Sequence, residues 1–395
     1  MYLPAVLLLL VALTGPLLLN TSLIVSALNS LYPLGVALME ETRIPDQVLD
    51  VFLRPALRIG FWAMLEEQAA SSVAEVNAQL RYVNQLRQLP VALFTGEANE
   101  QHYEVETQFF DVALGTRKKY SSGIWDVSSA VATSGGPALE SSEDAMLDLY
   151  VQRADVRDGQ TILDLGCGWG SVTLYLAERF PQAKIIGVSN SRTQKAYILG
   201  QASAKGFKNV EVETLNVASD AFKDFLQKKA GLIDRIISIE MFEHMKNYGK
   251  LLKLLHGALN KDGKLFVHIF CHKHIAYNFE ENDLNGWMTK HFFKGGTMPS
   301  QHLLHYFQDD LVLRDQWNVN GRNYTLTLEG WLQRMDANKE QLLSVFGSKS
   351  DPHNAALQVR RWRIFMIACA EFFGFRGGTE FFVTHMLFEK RVAQQ

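Results

Sequence analysis

The chain has 395 residues, 47% of them hydrophobic, which is enough to bury the core of one large domain or two modest ones. Lysine and arginine number 39 against 42 acidic residues, so the net charge of −3 provides no broad basic surface and no nucleic-acid partner is expected. Cys167, Cys271 and Cys369 are odd in number and far apart. Their spacing argues against a disulfide framework and a structural zinc site, and it favours a reducing compartment.

Residues 1–39 carry no charged side chain, and their apolar run is longer than the roughly 20 residues that cross a bilayer. The prediction is a single-pass membrane anchor. A kinked span, a re-entrant hairpin, a cleaved signal peptide and a buried helix remain alternatives. Arg43, Arg54 and Arg58 follow the segment and no basic residue precedes it, which predicts that the rest of the chain is cytosolic.

From residue 46 to about 89 the apolar residues recur three and four apart, which predicts amphipathic helices with an early interruption at Pro55. Two polar loops rich in glycine and serine follow, and a helix is expected to begin near Glu143. Residues 46–142 are therefore predicted to form a helical N-terminal region that ends in a loop.

Over residues 143–395, short runs rich in β-branched residues alternate with helical stretches. This alternation predicts an α/β domain with a doubly wound, mostly parallel sheet. A stretch rich in aromatic residues, about 271–347, interrupts the pattern. It is predicted to be an insert that covers the ligand edge of the sheet, with one or two of its rings facing a cation.

The segment "DLGCGWG", Asp164 to Gly170, lies between a predicted strand and a predicted helix, where glycines let the backbone approach a ligand. A tight turn without a ligand is the alternative. The next strand ends in "GVSNSRTQ", which lacks the acid that a dinucleotide-binding fold places on the ribose. Asn190 and Gln194 can form hydrogen bonds in its place, so the pattern points away from a nicotinamide cofactor.

Two glutamates and a histidine follow the end of another predicted buried strand, in "IEMFEHMKNYGK". Burying even an uncharged polar group without a partner costs roughly 2–7 kcal/mol, so Glu240, Glu243 and His244 require an explanation. Strand alternation would send Glu243 and His244 to opposite sides, whereas a turn beginning at Phe242 would bring both to one pocket. An ion pair or a helix cap is the structural alternative.

The chain resembles the superfamily of cyclopropane-fatty-acid synthases and coclaurine N-methyltransferases. The resemblance extends over most of the chain from about Val51, and residues before about 46 lie outside it. The segments that carry it are "YSSGIW", "LDLGCGWG", "GVSNSRTQ", "DRIISIEMFEHMKNY", "FVHIFCHK", "GTMPS", "YFQDDL" and "VNGRNY".

This resemblance implies a Rossmann-like class I methyltransferase fold and S-adenosylmethionine as the cofactor. Asp164 is of the type that such enzymes place near the methionine part of that cofactor. The residues expected to bind the cofactor are Tyr120, Ser121, Asp164, Gly166, Cys167, Gly168, Gly170, Asn190, Ser191, Gln194, Asn216, Val217 and Ile239.

Within the superfamily, "FEHMKNY" and Glu240 resemble the amine N-methyltransferase branch, because the lipid enzymes commonly carry a small residue at that position. Glu243, His268 and Tyr324 match positions that hold a bicarbonate ion in the lipid enzymes. Ser122 stands where many relatives have cysteine. Bicarbonate is therefore expected only if the chain acts on lipids.

Methyl transfer from a sulfonium to an amine requires a neutral nitrogen, although the amine arrives mostly as ammonium. A carboxylate can attract the cation and accept the proton, and such base catalysis is worth roughly 10²–10⁴-fold. Glu243 is the leading candidate, alone or with His244. The full set of predicted catalytic residues is Glu240, Glu243, His244, His268 and Tyr324.

His268, His272 and His274, with Cys271 nearby, also fit a zinc site, but the resemblance explains them without metal and no metal is predicted. The predicted function is S-adenosylmethionine-dependent methylation of a small or amphiphilic amine by a membrane-anchored enzyme. The alternatives are methylation or cyclopropanation of unsaturated fatty acyl chains of membrane lipids, and a non-catalytic cofactor-binding membrane protein.

Overall fold

The structure, a computed structural model, describes residue 30 and residues 32–68, 72–93, 107–127, 137–280, 286–347 and 351–391. Residues 32–39 are helical, and the rest of the predicted anchor, apart from residue 30, lies outside the described residues. Among the residues described, no helix combines the length and the apolar character needed to cross a bilayer.

From Asp46 onward, the described part of the chain contains nine strands and twelve α-helices. The strands are β1 (Thr161–Leu165), β2 (Lys184–Ser189), β3 (Val210–Thr214), β4 (Ile233–Ile239), β5 (Leu259–His272), β6 (Tyr277–Asn278), β7 (Thr297–Met298), β8 (Leu311–Val319) and β9 (Phe381–Lys390). The helices are α1 (Asp46–Gln68), α2 (Ser72–Gln88), α3 (Thr107–Ala113), α4 (Pro137–Arg153), α5 (Ser171–Arg179), α6 (Arg192–Ala204), α7 (Asp220–Lys228), α8 (Tyr248–Ala258), α9 (Gly286–His291), α10 (Arg322–Ala337), α11 (Lys339–Phe346) and α12 (Pro352–Gly374).

Seven of the strands form one sheet in the order β3-β2-β1-β4-β5-β9-β8. The first five are parallel, and β9 is antiparallel to both β5 and β8. The central strands are almost entirely buried, as their β-branched runs predict for a sheet with helices on both faces. This arrangement confirms the predicted doubly wound, mostly parallel sheet.

The N-terminal helix α1 packs along α12. It continues through Pro55, so the predicted interruption at that residue is wrong. Tertiary contacts support the helix on both sides of the proline: Phe61 packs edge-on against Phe372 at 5.2 Å between ring centroids. Toward the amino end, the Asp50 carboxylate accepts two hydrogen bonds from Arg363, at 2.6 and 2.7 Å.

The stretch 271–347 contributes to several parts of the fold. Its first part forms the small β6-β7 sheet and helix α9, which lie near the ligand edge of the main sheet. Its later part supplies β8, which pairs with β9 in the main sheet, and α10 and α11, which pack on α12. Helix α4 begins at Pro137, upstream of the expected start near Glu143.

Candidate active site

The candidate site lies at the carboxyl ends of β1, β2 and β4, the edge at which doubly wound sheets bind ligands. Three cavities meet there. The glycine-loop cavity follows β1 and includes Asp164 and Gly168, and the β2 cavity includes Asn190 and Asn216. The aromatic cavity lies between the sheet and helices α9, α10 and α12. Glu240 lines all three cavities, so it marks the point at which they join.

The glycines after β1 have different roles. Gly168 has φ +51°, lines both the glycine-loop and the β2 cavities, and has open space where a Cβ would stand. A Cβ on Gly166, which has φ +84°, would meet the Met241 side chain at 2.7 Å. A Cβ on Gly170 would meet Ile198 at 2.6 Å, so Gly170 allows α5 to pack closely on α6. Gly168 is therefore the glycine of this loop that leaves room for a ligand.

Polar side chains around these two cavities are held in place by local hydrogen bonds. Asp164 is buried and accepts a hydrogen bond from the Thr173 hydroxyl at 2.6 Å, and burial raises the pKa of Asp164 to about 7. The Ser189 hydroxyl donates to Oε1 of Gln194 at 2.6 Å, while Nε2 of Gln194 is buried without a hydrogen-bond partner. A buried amide without an acceptor is the type of group that a bound ligand satisfies.

Every predicted cofactor residue lines one of these two cavities except Gly170 and Ser191. Ser191 caps helix α6 instead, where its hydroxyl accepts from the backbone N–H of Gln194 at 3.3 Å. The lining also includes residues that sequence reasoning did not single out, among them Leu93, Lys118, Trp169, Met241 and Lys294. Of these, Trp169 lies within the glycine motif itself, which is the signal that could have identified it.

These features fit S-adenosylmethionine. The two cavities share Gly166, Gly168 and Gln194 and so form one elongated site. Its β2 side offers the amides of Asn190 and Asn216 for ribose hydroxyls. β2 is followed by Asn190, where a dinucleotide-binding fold would place an acid. Its glycine-loop side offers Asp164 and Ser121, which suit the charged amino acid end of the cofactor.

Glu240 follows β4 in a left-handed backbone conformation, with φ +47°. Its Oε1 accepts hydrogen bonds from Nε2 of His268 at 3.0 Å and from the backbone N–H of Ser122 at 3.2 Å. Its Oε2 accepts from the Tyr324 hydroxyl at 2.5 Å. His268 and Tyr324 thus donate to a carboxylate that belongs to the chain, in the positions that the resemblance links to bicarbonate in the lipid enzymes.

A single 3₁₀ turn, Phe242–His244, follows β4 and brings Glu243 and His244 to the aromatic cavity together with Glu240. This is the turn that the sequence left open. Glu243 is buried, and its Oε2 has no hydrogen-bond partner. Burial raises the pKa of Glu243 well above its ordinary value, and the nearby Glu240 carboxylate raises it further. Burial also raises the pKa of Glu240, to about 7.

His244 stacks on the ring of Phe293, with ring centroids 5.5 Å apart. Burial, helped by the positive charge of Lys246, lowers the pKa of His244 to about 4. The imidazole is therefore neutral at physiological pH and carries a lone pair.

The walls of the aromatic cavity are apolar. The side chains that line it include Tyr120, Phe270, Phe279, Met288, Phe293, Tyr324, Trp331, Phe365, Phe372 and Phe373. They come from the segment between α3 and α4, from β5, from the segments that follow β6 and α9, and from helices α9, α10 and α12, so the site is assembled from distant parts of the chain. An apolar enclosure with carboxyl groups at one end suits a ligand with an apolar body and a cationic group.

Four further residues, which were not predicted, lie near Glu240 or behind its partner His268. Lys119 is fully buried and donates to the Ser121 hydroxyl at 2.5 Å and to the Ser122 carbonyl at 2.6 Å. Burial lowers its pKa to about 8. Tyr150, Arg153 and His385 lie behind His268. No local pattern marks them, because Tyr150 and His385 are 118 and 117 positions from His268 in the sequence.

The histidines of the rival zinc interpretation lie in different environments. His268 is buried against Glu240, whereas Nδ1 of His272 accepts from the backbone N–H groups of His274 and Ile275, at 3.0 and 2.8 Å. Among the described residues, no group of three or more histidine, cysteine or acidic side chains is arranged to hold a metal ion.

Comparison with known proteins places these features in a family. The profile described as mycolic acid cyclopropane synthetase matches residues 95–379. The chain is 34% identical to the (S)-coclaurine N-methyltransferase of Thalictrum flavum subsp. glaucum over 87% of this chain and 93% of that protein. It is 23% identical to the cyclopropane-fatty-acyl-phospholipid synthase of Escherichia coli (strain K12) over 72% of this chain and 67% of that protein.

Comparison with a solved structure supports the same family. The crystal structure of coclaurine N-methyltransferase bound to N-methylheliamine and SAH superposes with a TM-score of 0.80 and 30% sequence identity. The match covers 90% of this chain and 99% of that one. These similarities confirm the suspected superfamily and its coclaurine N-methyltransferase-like branch, as well as the cofactor. The chain belongs to the mycolic acid cyclopropane synthetase family and is an S-adenosylmethionine-dependent methyltransferase.

Proposed function

We propose that the enzyme transfers a methyl group to the nitrogen of an amphiphilic amine, with Glu240 as the base that receives the nitrogen's proton. One observation carries this proposal: Glu240 lines the aromatic cavity and both parts of the cofactor site. A group in that position can touch the amine while the amine faces the methyl donor. The bound cofactor supplies an electrophilic methyl group on sulfur.

The hydrogen bonds to Glu240 prepare it for this role. Three donors, the His268 imidazole, the Ser122 backbone N–H and the Tyr324 hydroxyl, fix the carboxylate within the cavity. Burial alone would favour the protonated acid, whereas donors stabilise the anion. The pKa of about 7 that results allows Glu240 to be ionised at neutral pH and still hold a proton once it receives one.

Glu243 has a different role in this mechanism. With its pKa raised well above the ordinary value by burial, it is protonated when the cavity contains no cation. An ammonium group in the cavity would lower the pKa of Glu243 and favour its anionic form. Glu243 therefore becomes negatively charged, and attracts the cation, when the amine enters the cavity. His244 remains neutral, and its lone pair can orient the nitrogen once the proton has left.

The aromatic walls fit the body of such a substrate. Rings around a cation contribute about 0.5–2 kcal/mol each when desolvated, and they exclude the water that would otherwise compete for the proton. The named relatives in this branch act on amines by their printed names, for example (S)-coclaurine N-methyltransferase and pavine N-methyltransferase.

Product analysis tests the proposal. The full-length enzyme is incubated with methyl-labelled S-adenosylmethionine in two separate experiments. One contains a panel of aromatic secondary amines, and the other contains phospholipid vesicles with unsaturated chains. We expect labelled N-methylated amine and unlabelled lipid. A methylene inserted in an acyl chain, with no amine product, would replace this proposal by the lipid alternative, and cofactor binding without any product would favour the non-catalytic one.

We also propose that residues 1–39 anchor the enzyme in a membrane with the catalytic domain in the cytosol. The uncharged sequence supports the anchor. The orientation now rests mainly on Arg43, because Arg54 forms ion pairs with Glu329 and Glu371, and Arg58 with Glu371, within the folded domain. Full-length protein should stay with membranes in alkaline carbonate, while a chain beginning at Glu41 should not. If alkaline carbonate released both proteins equally, the segment would instead be a cleaved signal peptide or a buried helix.

A further inference from the structure

A line of hydrogen bonds runs from the candidate base along one face of the sheet, from β5 across β9 to the end of helix α4. Nε2 of His268 lies 3.0 Å from Oε1 of Glu240, and Nδ1 of His268 lies 2.9 Å from Nε2 of His385. Nδ1 of His385 lies 2.6 Å from Nη1 of Arg153. The two histidines are direct register partners on β5 and β9, and both are fully buried. Arg153 is the last residue of α4.

Arg153 determines the direction of every hydrogen bond in this line. A guanidinium can only donate, so Nδ1 of His385 must accept. A neutral imidazole has one N–H, which in His385 is then on Nε2 and donates to Nδ1 of His268. His268 is left with its N–H on Nε2, which donates to Glu240. Burial lowers the pKa of both histidines well below the ordinary range, so both are neutral.

The neighbouring groups are compatible with this direction. The Tyr150 hydroxyl lies 2.9 Å from Nδ1 of His268 and can donate to it. Nδ1 of His268 then remains an acceptor. The titratable and charged groups that face the line or Glu240 from the surrounding elements are Lys119, Tyr150, Glu243, His244, Tyr324 and Cys369.

We propose that Arg153 and His385 are positioning residues that fix the tautomer of His268, so that His268 donates to Glu240 and keeps it an ionised acceptor. We call Arg153, His385 and His268 the tautomer lock. Without Arg153, His385 is free to carry its proton on Nδ1, and the proton of His268 then moves from Nε2 to Nδ1. The lone pair on Nε2 of His268 would face Glu240 and would require Glu240 to be protonated. This inference rests on the proposed role of Glu240.

The lock can be perturbed from outside the core. Arg153 is half-buried, lies over the Trp317 ring at 5.0 Å, and lines a surface cavity with Arg314 and Lys264. Arg153→Met keeps the length of the stem and removes the donors. His385→Phe keeps a ring against Phe266 but removes both nitrogens. His385→Gln is the informative contrast, because a glutamine oxygen can accept from Arg153 while its N–H donates to His268.

The first test is the pH dependence of kcat/KM for amine methylation. A hydrogen bond to a charged group corresponds to about 1–2 pH units, so the acid limb should move upward by about that amount in Arg153→Met and His385→Phe. His385→Gln should retain the wild-type limb. The control is Arg314→Met, which removes a cation from the same surface cavity and should also leave the limb in place. Unchanged limbs in both disrupting variants, together with an unchanged tautomer of His268, would overturn the lock.

The second test does not depend on activity. Proton-detected ¹⁵N spectra of the histidine-labelled protein should show His268 with its proton on Nε2 in the wild type and in His385→Gln. In Arg153→Met the proton should move to Nδ1. Retention on Nε2 in that variant would refute the lock whatever the enzyme does. A tautomer that moves while the pH profile stays fixed would support the lock and remove Glu240 from the role of base.

Discussion

Replacing Glu240 with glutamine separates charge from shape in the candidate base. The side chain keeps its volume, and its oxygen can still accept from His268 and from the Ser122 backbone, which lie 3.0 and 3.2 Å from Oε1. The new amide N–H₂ would face the Tyr324 hydroxyl, which can rotate to accept instead of donate. Folding and cofactor binding should therefore be nearly unchanged, and only the capacity to take a proton is lost.

The size of the effect follows from that loss. Proton transfer to a positioned base contributes roughly 10²–10⁴-fold, which corresponds to about 2.7–5.4 kcal/mol of transition-state stabilisation. We expect kcat for Glu240→Gln to fall within this range, measured as transfer of labelled methyl to an amine. Calorimetric binding of S-adenosylhomocysteine should stay close to the wild-type value.

Glu243→Gln is the matched control, because the amide resembles the protonated acid that occupies this position in the free enzyme. Its cost should appear mainly as a higher KM for the amine, since the attraction for the cation is lost. A near-normal kcat in Glu240→Gln would refute the reasoning about Glu240. A larger loss of kcat in Glu243→Gln than in Glu240→Gln would reverse the two roles.

Three further outcomes follow. Gly168→Val should lose cofactor binding. The control is Gly159→Val, because Gly159 also has positive φ and open space but lies away from the cavities, and this variant should bind the cofactor normally. Equal binding by both variants would mean that Gly168 does not contact the cofactor. In the wild type, kcat/KM should rise with pH through about 7, because the pKa of Glu240 is about 7 and the protonated acid below it cannot accept a proton. A flat profile from about pH 6 to about pH 8 would contradict this. Arg363→Leu should lower the free energy of unfolding by about 3 kcal/mol, since it leaves Asp50 and Asp336 without their shared partner. Arg43→Leu, at an exposed ion pair, should have a much smaller effect in the same denaturation assay.

Local sequence was sufficient for much of the fold. The β-branched runs that became β1, β2 and β4 are short, are flanked by helical patterns, and are buried on both faces, so their periodicity predicted the sheet. The continuation of α1 through Pro55 was missed, because tertiary packing against α12 overrides the local cost of a proline. The place of β8 beside β9 depends on pairing between distant segments and has no local signature.

The candidate site, too, could be predicted from local sequence only in part. Glu240, Glu243 and His244 could be identified because polar residues after an apolar strand are conspicuous. Their relative roles depend on which donors surround each carboxyl group, and those donors come from other elements. Gly170 and Ser191 match the cofactor motif but serve helix packing and helix capping, a distinction that only side-chain positions reveal.

The left-handed backbone at Glu240 determines what a replacement at this position would do to the chain. A residue with a Cβ is strained in this conformation by about 1–2 kcal/mol, and glycine is not. Exchange of Glu240 for glycine would therefore relax the backbone, while His268, Tyr324 and the Ser122 N–H would still converge on the space of the lost carboxylate. Such a gap would suit a small diffusible anion of the same shape, such as bicarbonate. In this chain, the single replacement Glu240→Gly would thus exchange a carboxylate that is part of the protein for a site that can take an anion from solution.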